Sequence, residues 1–347
     1  MYNVNKLIPS LVQLGSWLRE EAPNDVATKR LAEAQNAWFT SESIDLSLRS
    51  HGQALSEEGL ALWLGNREMP ESWTAKKVGM ILAGNLPLVG WNDILCGVMS
   101  GHEVHVKASK DDQVLPRWVV QRWVELEPSV EGRVTFHEGM MKDMDAIVAT
   151  GGANTSRYFE AYFGHLPHLF RGQRTSVAML DGGESDKELR ALGHDIFAHF
   201  GMGCRSVTKV FMPESFDLDR CFAQWVDWGH VAQHAKYANN YDYHKAVWLL
   251  NKESLIENGF VLVKEDEGLF SPIGTLYVER YSDAQEVVGR LAEGQADIQV
   301  VVLRRDGPWG EAVTNAGLRQ VAMGEGQCPS LLDHADGVDT LEFLLSL

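Results

Sequence analysis

The sequence predicts an α/β protein, with a helical lead-in, a doubly wound parallel sheet and a second α/β domain. Three observations predict it. From Val78 onward, short apolar runs end in glycine turns and pass into helical stretches, the texture of βαβ units. Before that point, leucines recur at helical spacing. The length, 347 residues, exceeds what one hydrophobic core usually serves, so two domains in close contact across a cleft are expected.

Residues 1–75 read as helical: Leu7, Leu11, Leu14 and Leu18 fall on one helix face, and no glycine occurs between Gly15 and Gly52. The run from Lys77 to Ala83 reads as a strand ending in Gly84-Asn85. A helix from Trp91 to Ser100 follows, then a strand from Glu103 to Lys107 and a helix from Val114 to Glu127. Val134–Phe136 is a short strand, and Asp145–Thr150 an apolar one that closes in Gly151-Gly152. A second unit begins near Asp181. Its elements are a helix from Ser185 to Phe200 with a capping-box pair (Ser185, Glu188), a strand at Val207–Met212, and an aromatic-rich helical stretch from Leu218 to Leu250. A hairpin-like pair (Phe260–Lys264, Thr275–Tyr281), a helix at Ala284–Ala292 and a strand at Ile298–Leu303 complete it.

Composition narrows the partners. A net charge of −17, from 48 acidic against 31 basic residues without a Lys/Arg cluster, argues against nucleic acid and anionic membrane. No segment approaches the roughly 18 uninterrupted apolar residues of a membrane span. Met1–Leu14 has no charged start, long apolar core or cleavage site, so no secretory signal is expected. Four cysteines without CxxC spacing predict reduced thiols and a cytoplasmic location.

Ligands of open α/β sheets bind at the carboxyl ends of strands, which makes the residues there candidates. Asn85, held between Gly84 and Pro87, offers an amide to an oxyanion, or is a turn former. Lys107, Ser109 and Lys110 end a strand and suit ribose or phosphate contacts, or a solvated edge. Thr150-Gly151-Gly152 would bring backbone N–H groups and a helix start to a phosphate. In Gly201-Met202-Gly203-Cys204-Arg205 a helix ends in glycines beside a cysteine, and the neighbouring arginine favours its thiolate. The other reading is a buried structural thiol, as expected for Cys96 on its apolar face. His230 and His234 are spaced for a metal on one helix, but the Glu of HExxH and further ligands are absent, so no metal is expected. The aromatic group Trp225, Trp228, Tyr237, Tyr241, Tyr243 and Trp248 forms core or lines an apolar substrate channel.

In this order these segments resemble the aldehyde dehydrogenase superfamily, and within it the acyl-CoA reductase branch, the LuxC-type fatty-acid reductases of bacterial bioluminescence. The resemblance runs from about Val78 to Gly326. Gly84-Asn85-Leu86-Pro87-Leu88 is similar to the Asn-Phe-Pro-Leu segment whose Asn forms the oxyanion hole with the nucleophile's own N–H. Val106-Lys107-Ala108-Ser109 resembles the Lys-Pro-Ser/Ala strand end at the adenine ribose. Thr150-Gly151-Gly152 resembles the Thr-Gly-Ser turn at the pyrophosphate, and Gly203-Cys204 the nucleophile segment. Leu269-Phe270-Ser271-Pro272-Ile273 is similar to the Phe-Gly-Pro segment by the nicotinamide ribose. The resemblance implies an aldehyde-dehydrogenase-like fold with a Rossmann-like cofactor domain at 76–183, a nucleophile domain at 184–325, a helical segment at 1–75 packed on the first, and a return segment at 326–347.

It also implies chemistry. Cys204 attacks an acyl thioester (acyl-CoA or an acyl carrier, with a fatty acyl group), Asn85 holds the oxyanion, and hydride from a nicotinamide cofactor releases an aldehyde. Residues do not distinguish this from the oxidative direction, an acyl-phosphate substrate or an inactive member of the fold. In Met179-Leu180-Asp181-Gly182-Gly183, Leu180 falls where Glu-Leu-Gly-Gly members carry the base that activates water, with Asp181 and Glu184 nearby as substitutes. Loss of that base, typically about 10²–10⁴-fold in rate, favours transfer between thiols over hydrolysis. Lys110 stands where NAD-specific members often carry Glu, so NADP is expected, with NAD as the alternative. Gly268 replaces the Glu of the Phe-Gly-Pro segment, with Glu267 one residue earlier. LuxC-type members work with acyl-transferase and acyl-protein synthetase partners. A homo-oligomer with a reduced oligomerisation arm is expected.

Overall fold

The computed structural model describes residues 4–65, 67 and 74–347; residues 1–3, 66 and 68–73 of the expected helical lead-in lie outside these. The leucine repeat forms α1 (Leu7–Glu20), with Leu7, Leu11, Leu14 and Leu18 buried. Then come α2 (Val26–Gln35), α3 (Ser41–Ala54) and α4 (Glu57–Leu64). Each of these three starts at a side-chain cap: Asp25, Thr40 and Ser56 accept from the N–H groups of Thr28, Ser43 and Gly59. Such caps satisfy end donors that the helix itself leaves open.

The first sheet has five strands: β1 (Lys77–Ile81), β2 (Glu103–Lys107), β3 (Val134–Phe136), β4 (Ala146–Thr150) and β5 (His168–Arg171). They are parallel, in the order β3-β2-β1-β4-β5. The chain therefore reverses direction across the sheet between β1 and β4, the switch point where such sheets bind ligands. The connections are α5 (Trp91–Met99), α6 (Val114–Leu126) and α7 (Ala153–Phe163). Cover on both faces explains the near-continuous apolar sequences of β1 and β4. One core joins α1, α3 and α4 to β1, β2, α5 and α6, and takes in Leu341 and Leu344 of the C-terminal helix Thr340–Leu345.

The second sheet has seven strands: β6 (Thr175–Met179), β7 (Val207–Pro213), β8 (Ile256–Glu257), β9 (Leu262–Glu265), β10 (Thr275–Tyr281), β11 (Ile298–Leu303) and β12 (Gln320–Ala322). Their order is β12-β11-β6-β7-β10-β9-β8. Its helices are α8 (Asp186–Phe197), α9 (Asp219–Trp225), α10 (Ala235–Leu250), α11 (Ala284–Glu293) and α12 (Gly310–Asn315). Both hydrogen bonds of the Ser185–Glu188 capping box are present at the start of α8.

Three sequence expectations are corrected. β9 and β10 run parallel, not as a hairpin: residues 266–274 carry the chain back before β10 starts, and Thr275 aligns with Leu262. The stretch from Leu218 to Leu250 is broken, because Val226–Gln233 is 3₁₀ and His234 caps α10. His230 and His234 thus do not share an α-helical face. The chain divides into two compact units, Met1–Gln173 with Pro329–Leu347, and Arg174–Cys328. A boundary at 183/184 would strip β6 from the sheet in which it pairs with β7 and β11. Among the described residues no helix is long and apolar enough to cross a membrane.

Candidate active site

In the first unit the parallel register brings the candidate residues to one sheet edge. Ile81 aligns with Lys107 and with Ala149, so the segments after β1, β2 and β4 leave side by side. Asn85 is exposed in the loop between β1 and α5. That loop is locked from several sides. Gly84 lies so close to Ser109 that a Cβ would stand 2.5 Å from the serine Cβ, so only glycine permits this approach. The Gly84 carbonyl accepts from Asn36 Nδ2 (3.2 Å). Leu88 takes a left-handed φ of 58°, and its N–H donates to Asp112 Oδ2 at 2.7 Å. Asp112 is buried, and burial pushes its carboxyl up to about 7 against that single hydrogen bond. Burial holds the His51 imidazole down to about 4, with its ring bonded to the Leu88 backbone.

Lys107 and Lys110 are exposed and Ser109 is half-buried against Gly84. Thr150 ends β4, and Gly152 caps α7 with open space where a side chain would be. A helix start with an open glycine at the switch point fits an anionic group such as a pyrophosphate. Behind it Arg171 is buried, donating to both oxygens of Asp93 (2.8 Å each), to Thr340 Oγ1 (2.6 Å) and to Thr150 Oγ1 (3.4 Å).

In the second unit Cys204 is exposed on the turn that leads into β7, whereas Cys96 and Cys221 are buried. Three left-handed residues come just before it, His199 (φ 51°), Phe200 (φ 59°) and Gly201 (φ 74°). Such conformations cost about 1 kcal/mol or more for a non-glycine residue and persist where surroundings enforce them. The surroundings here are specific. Gly203 N–H donates to Ser206 Oγ (3.1 Å), Ser176 Oγ to the Cys204 carbonyl (2.9 Å), and Gln327 Nε2 to Ser206 Oγ (3.2 Å). Arg205 turns to the Gly326 carbonyl (2.5 Å). Asp195, on α8, accepts from the N–H groups of Gly324 (2.6 Å) and Gly326 (2.8 Å), and burial raises it to about 7.

Beside the turn lies a small cavity of about 20 Å³, lined by Phe197, Phe200, Gly201, Tyr237 and residues 271–275. Its hydroxyls are taken up by backbone carbonyls: Thr208 by Leu269, Ser271 by Thr275, Thr275 by Pro272 and Tyr237 by Phe260. Phe270 is 39% exposed in the loop that Thr208, the second residue of β7, ties to the same sheet edge as Cys204.

One predicted group does not lie at this edge. Ser176 near the start of β6 touches Cys204, while Leu180 follows the end of that strand, four residues or about 13 Å further along. Leu180, Asp181 and Glu184 thus sit at the opposite sheet edge from the Cys204 turn. Asp181 is paired there with Arg304 (2.9 Å), and Glu184 accepts from the N–H groups of Asp181 (2.6 Å) and Gly182 (3.1 Å). Neither substitutes for a base beside Cys204, and Leu180 does not stand where such a base would act. Sequence reasoning missed Asp112, Asn36, Ser176, Asp195 and Gln327, whose partners lie far off in the chain.

Residues 24–224 match the family model described as acyl-CoA reductase (LuxC). The long-chain acyl-protein thioester reductase of Aliivibrio fischeri is 24% identical over 243 residues, covering 60% of this chain and 49% of that protein. The protein of the same name from Vibrio harveyi is 26% identical over 147 residues, 38% of this chain and 31% of that one. The chain thus spans about half the length, or less, of these curated relatives. Among solved structures, an indole-3-acetaldehyde dehydrogenase superposes with a TM-score of 0.71 at 12% identity, over 99% of this chain and 83% of that one. The aldehyde dehydrogenase KauB of Pseudomonas aeruginosa gives 0.71 at 13% identity over the same shares, 99% and 83%. The fold is that of the aldehyde dehydrogenases, and with more than half its length matched, from α2 through the Cys204 turn and into α9, the chain belongs to the acyl-CoA reductase (LuxC) family.

Proposed function

We propose that this protein reduces an acyl thioester to an aldehyde through an acyl-cysteine on Cys204. The observation that carries the reading is an exposed thiol on a braced, left-handed turn within the segment that matches the family. The thiolate attacks the thioester carbonyl, the Asn85 amide and the Cys204 N–H stabilise the oxyanion, and the thiol of the donor leaves. A nicotinamide cofactor supplies the hydride that reduces the acyl group; the neighbouring indole-3-acetaldehyde dehydrogenase was solved with NAD+. Lys107, Ser109, Thr150, Gly151, Gly152 and Phe270 would hold this cofactor, and the Lys110 cation would favour NADP over NAD. Cys204 leaves as thiolate when the thiohemiacetal collapses. Splitting one acyl transfer into two easier steps is the advantage of the covalent route.

Two features support a thioester donor with an apolar acyl group. The Asp195 carboxylate near the turn is committed to two backbone N–H groups, which leaves transfer to thiols favoured over hydrolysis. The relatives are named as reductases of long-chain acyl-protein thioesters.

The test is intact mass after incubation with a long-chain acyl-CoA, without cofactor and then with NADPH or NADH. The reading expects an acyl adduct that maps to Cys204, is absent in Cys204→Ser, and disappears with NADPH as aldehyde forms. An adduct that persists in Cys204→Ser, or none with any acyl-CoA, overturns it.

A further inference from the structure

The buried carboxylate of Asp112 has no part in the chemistry above, yet it is bonded to the loop that carries Asn85. Asp112 is 2% exposed. Its Oδ2 accepts from the Leu88 N–H at 2.7 Å, and its Oδ1 is buried with no hydrogen-bond partner among the described residues. Burying an ionisable group with one donor is costly, and here the cost falls at a residue with strained backbone, Leu88 at φ 58°. Leu88 cannot shift independently of Asn85: residues 85–88 form one tight loop whose other end, Gly84, is pinned against Ser109 and Asn36. Asp112 is itself fixed, its N–H donating to the Ser109 carbonyl at 3.2 Å. The loops after β1 and β2 are thus interlocked at two points, Gly84 on Ser109 and Leu88 on Asp112, with Asn85 between them.

We propose that Asp112 is a positioning residue of the acylation step: it holds Leu88 in its left-handed conformation and so fixes where the Asn85 amide stands. The inference rests on the reading of Asn85 as an oxyanion donor. Misplacement of a catalytic group by about 1 Å can cost on the order of 10²-fold in rate, so a side chain that never meets substrate can control the step. What matters is an acceptor for the Leu88 N–H, which an amide oxygen also provides.

The test is the rate of Cys204 acylation by acyl-CoA at saturation, with its half-saturating concentration, in a double-mutant cycle. Asp112→Ala should lower the saturating rate by about tenfold to a hundredfold, with NADPH affinity near wild type. Asp112→Asn should retain most of the rate. In the Asn85→Ala background Asp112→Ala should cost less than about twofold, since both act through one amide. Gly84→Ala, which wedges the loop from its other end, should mimic Asp112→Ala and serves if that variant does not fold. Full rate in Asp112→Ala with Asn85→Ala impaired, additive losses in the double variant, or an Asp112→Asn as slow as Asp112→Ala would each overturn the positioning role alone. Full rate in Asn85→Ala would instead remove the oxyanion assignment beneath it.

Discussion

Ser176, the second residue of β6, donates its hydroxyl to the carbonyl of Cys204 at 2.9 Å, and this contact fixes the edge of the second sheet at which Cys204 stands. Ser176→Ala should loosen the turn. We expect a loss of about 1 kcal/mol in stability and a severalfold slower acylation of Cys204. Asp181→Asn, at the far edge, should leave both acylation and the slow hydrolysis of the acyl-enzyme unchanged. Faster or slower hydrolysis in Asp181→Asn, followed by intact mass, would place that carboxylate at the reacting carbon after all.

The thiols divide by burial. Burial pushes Cys221 up to about 12 and Cys96 higher still, whereas Cys204 and Cys328 are exposed. The thiolate is the reactive form, so a maleimide should modify Cys204 and Cys328 in the native protein and the other two only after unfolding. Prior incubation with acyl-CoA should protect Cys204 and leave Cys328 reactive. Peptide mapping checks this, and equal protection of both residues would contradict a single acyl-cysteine.

Much of this architecture is legible in the sequence because it follows from periodicity. The leucines of α1, the apolar runs of β1 and β4 and the capping box of α8 are local signals. The errors arise where the decisive partner is distant. Gly182-Gly183 resembles a motif by sequence order alone, and only the contact between Ser176 and Cys204 reveals that it belongs to the other end of β6. Residues 266–274 read as a hairpin connection, since nothing local records that β10 pairs with β7 as well as β9. Asp112 carries no local signal in its polar run and becomes visible only when the loop carrying Asn85 is folded over it.

Asp112 also predicts a pH signature. Its carboxyl is raised from the ordinary value to about 7 by burial, so between about pH 4 and 7 the folded protein keeps a proton that the unfolded chain loses. This contribution to stability is complete below the unfolded pKa and is lost as pH rises through about 7. A shift of this size corresponds to on the order of 4 kcal/mol for one group. Asp195 and Glu184 are raised by burial too and act in the same direction, while His51, lowered to about 4, acts in the opposite one. The comparison that isolates Asp112 is therefore wild type against Asp112→Asn. The stability advantage of the Asn variant in urea should widen from pH 5 to pH 8. An advantage that is constant over that range would mean Asp112 is ionised throughout.

The C-terminal helix is predicted to be indispensable to the first unit, although the candidate site residues all precede it. Leu341 and Leu344 are fully buried in the same core as β1 and α5. Thr340 Oγ1 accepts from Arg171, whose guanidinium reaches Thr150 at the phosphate-type turn, and the Leu344 carbonyl bonds the His102 ring at 2.8 Å. Asp339, the cap of the helix, pairs with Arg67. Leu344→Ala should therefore cost about 2–5 kcal/mol through lost burial and the cavity left behind. Thr340→Val should cost less but act more locally. It removes an acceptor from a buried guanidinium and frees Arg171 to reorient, so cofactor affinity should fall while the rate of Cys204 acylation, measured without cofactor, stays near wild type. A Thr340→Val variant that loses acylation and cofactor binding together would show that this helix supports the whole unit rather than the turn at Thr150.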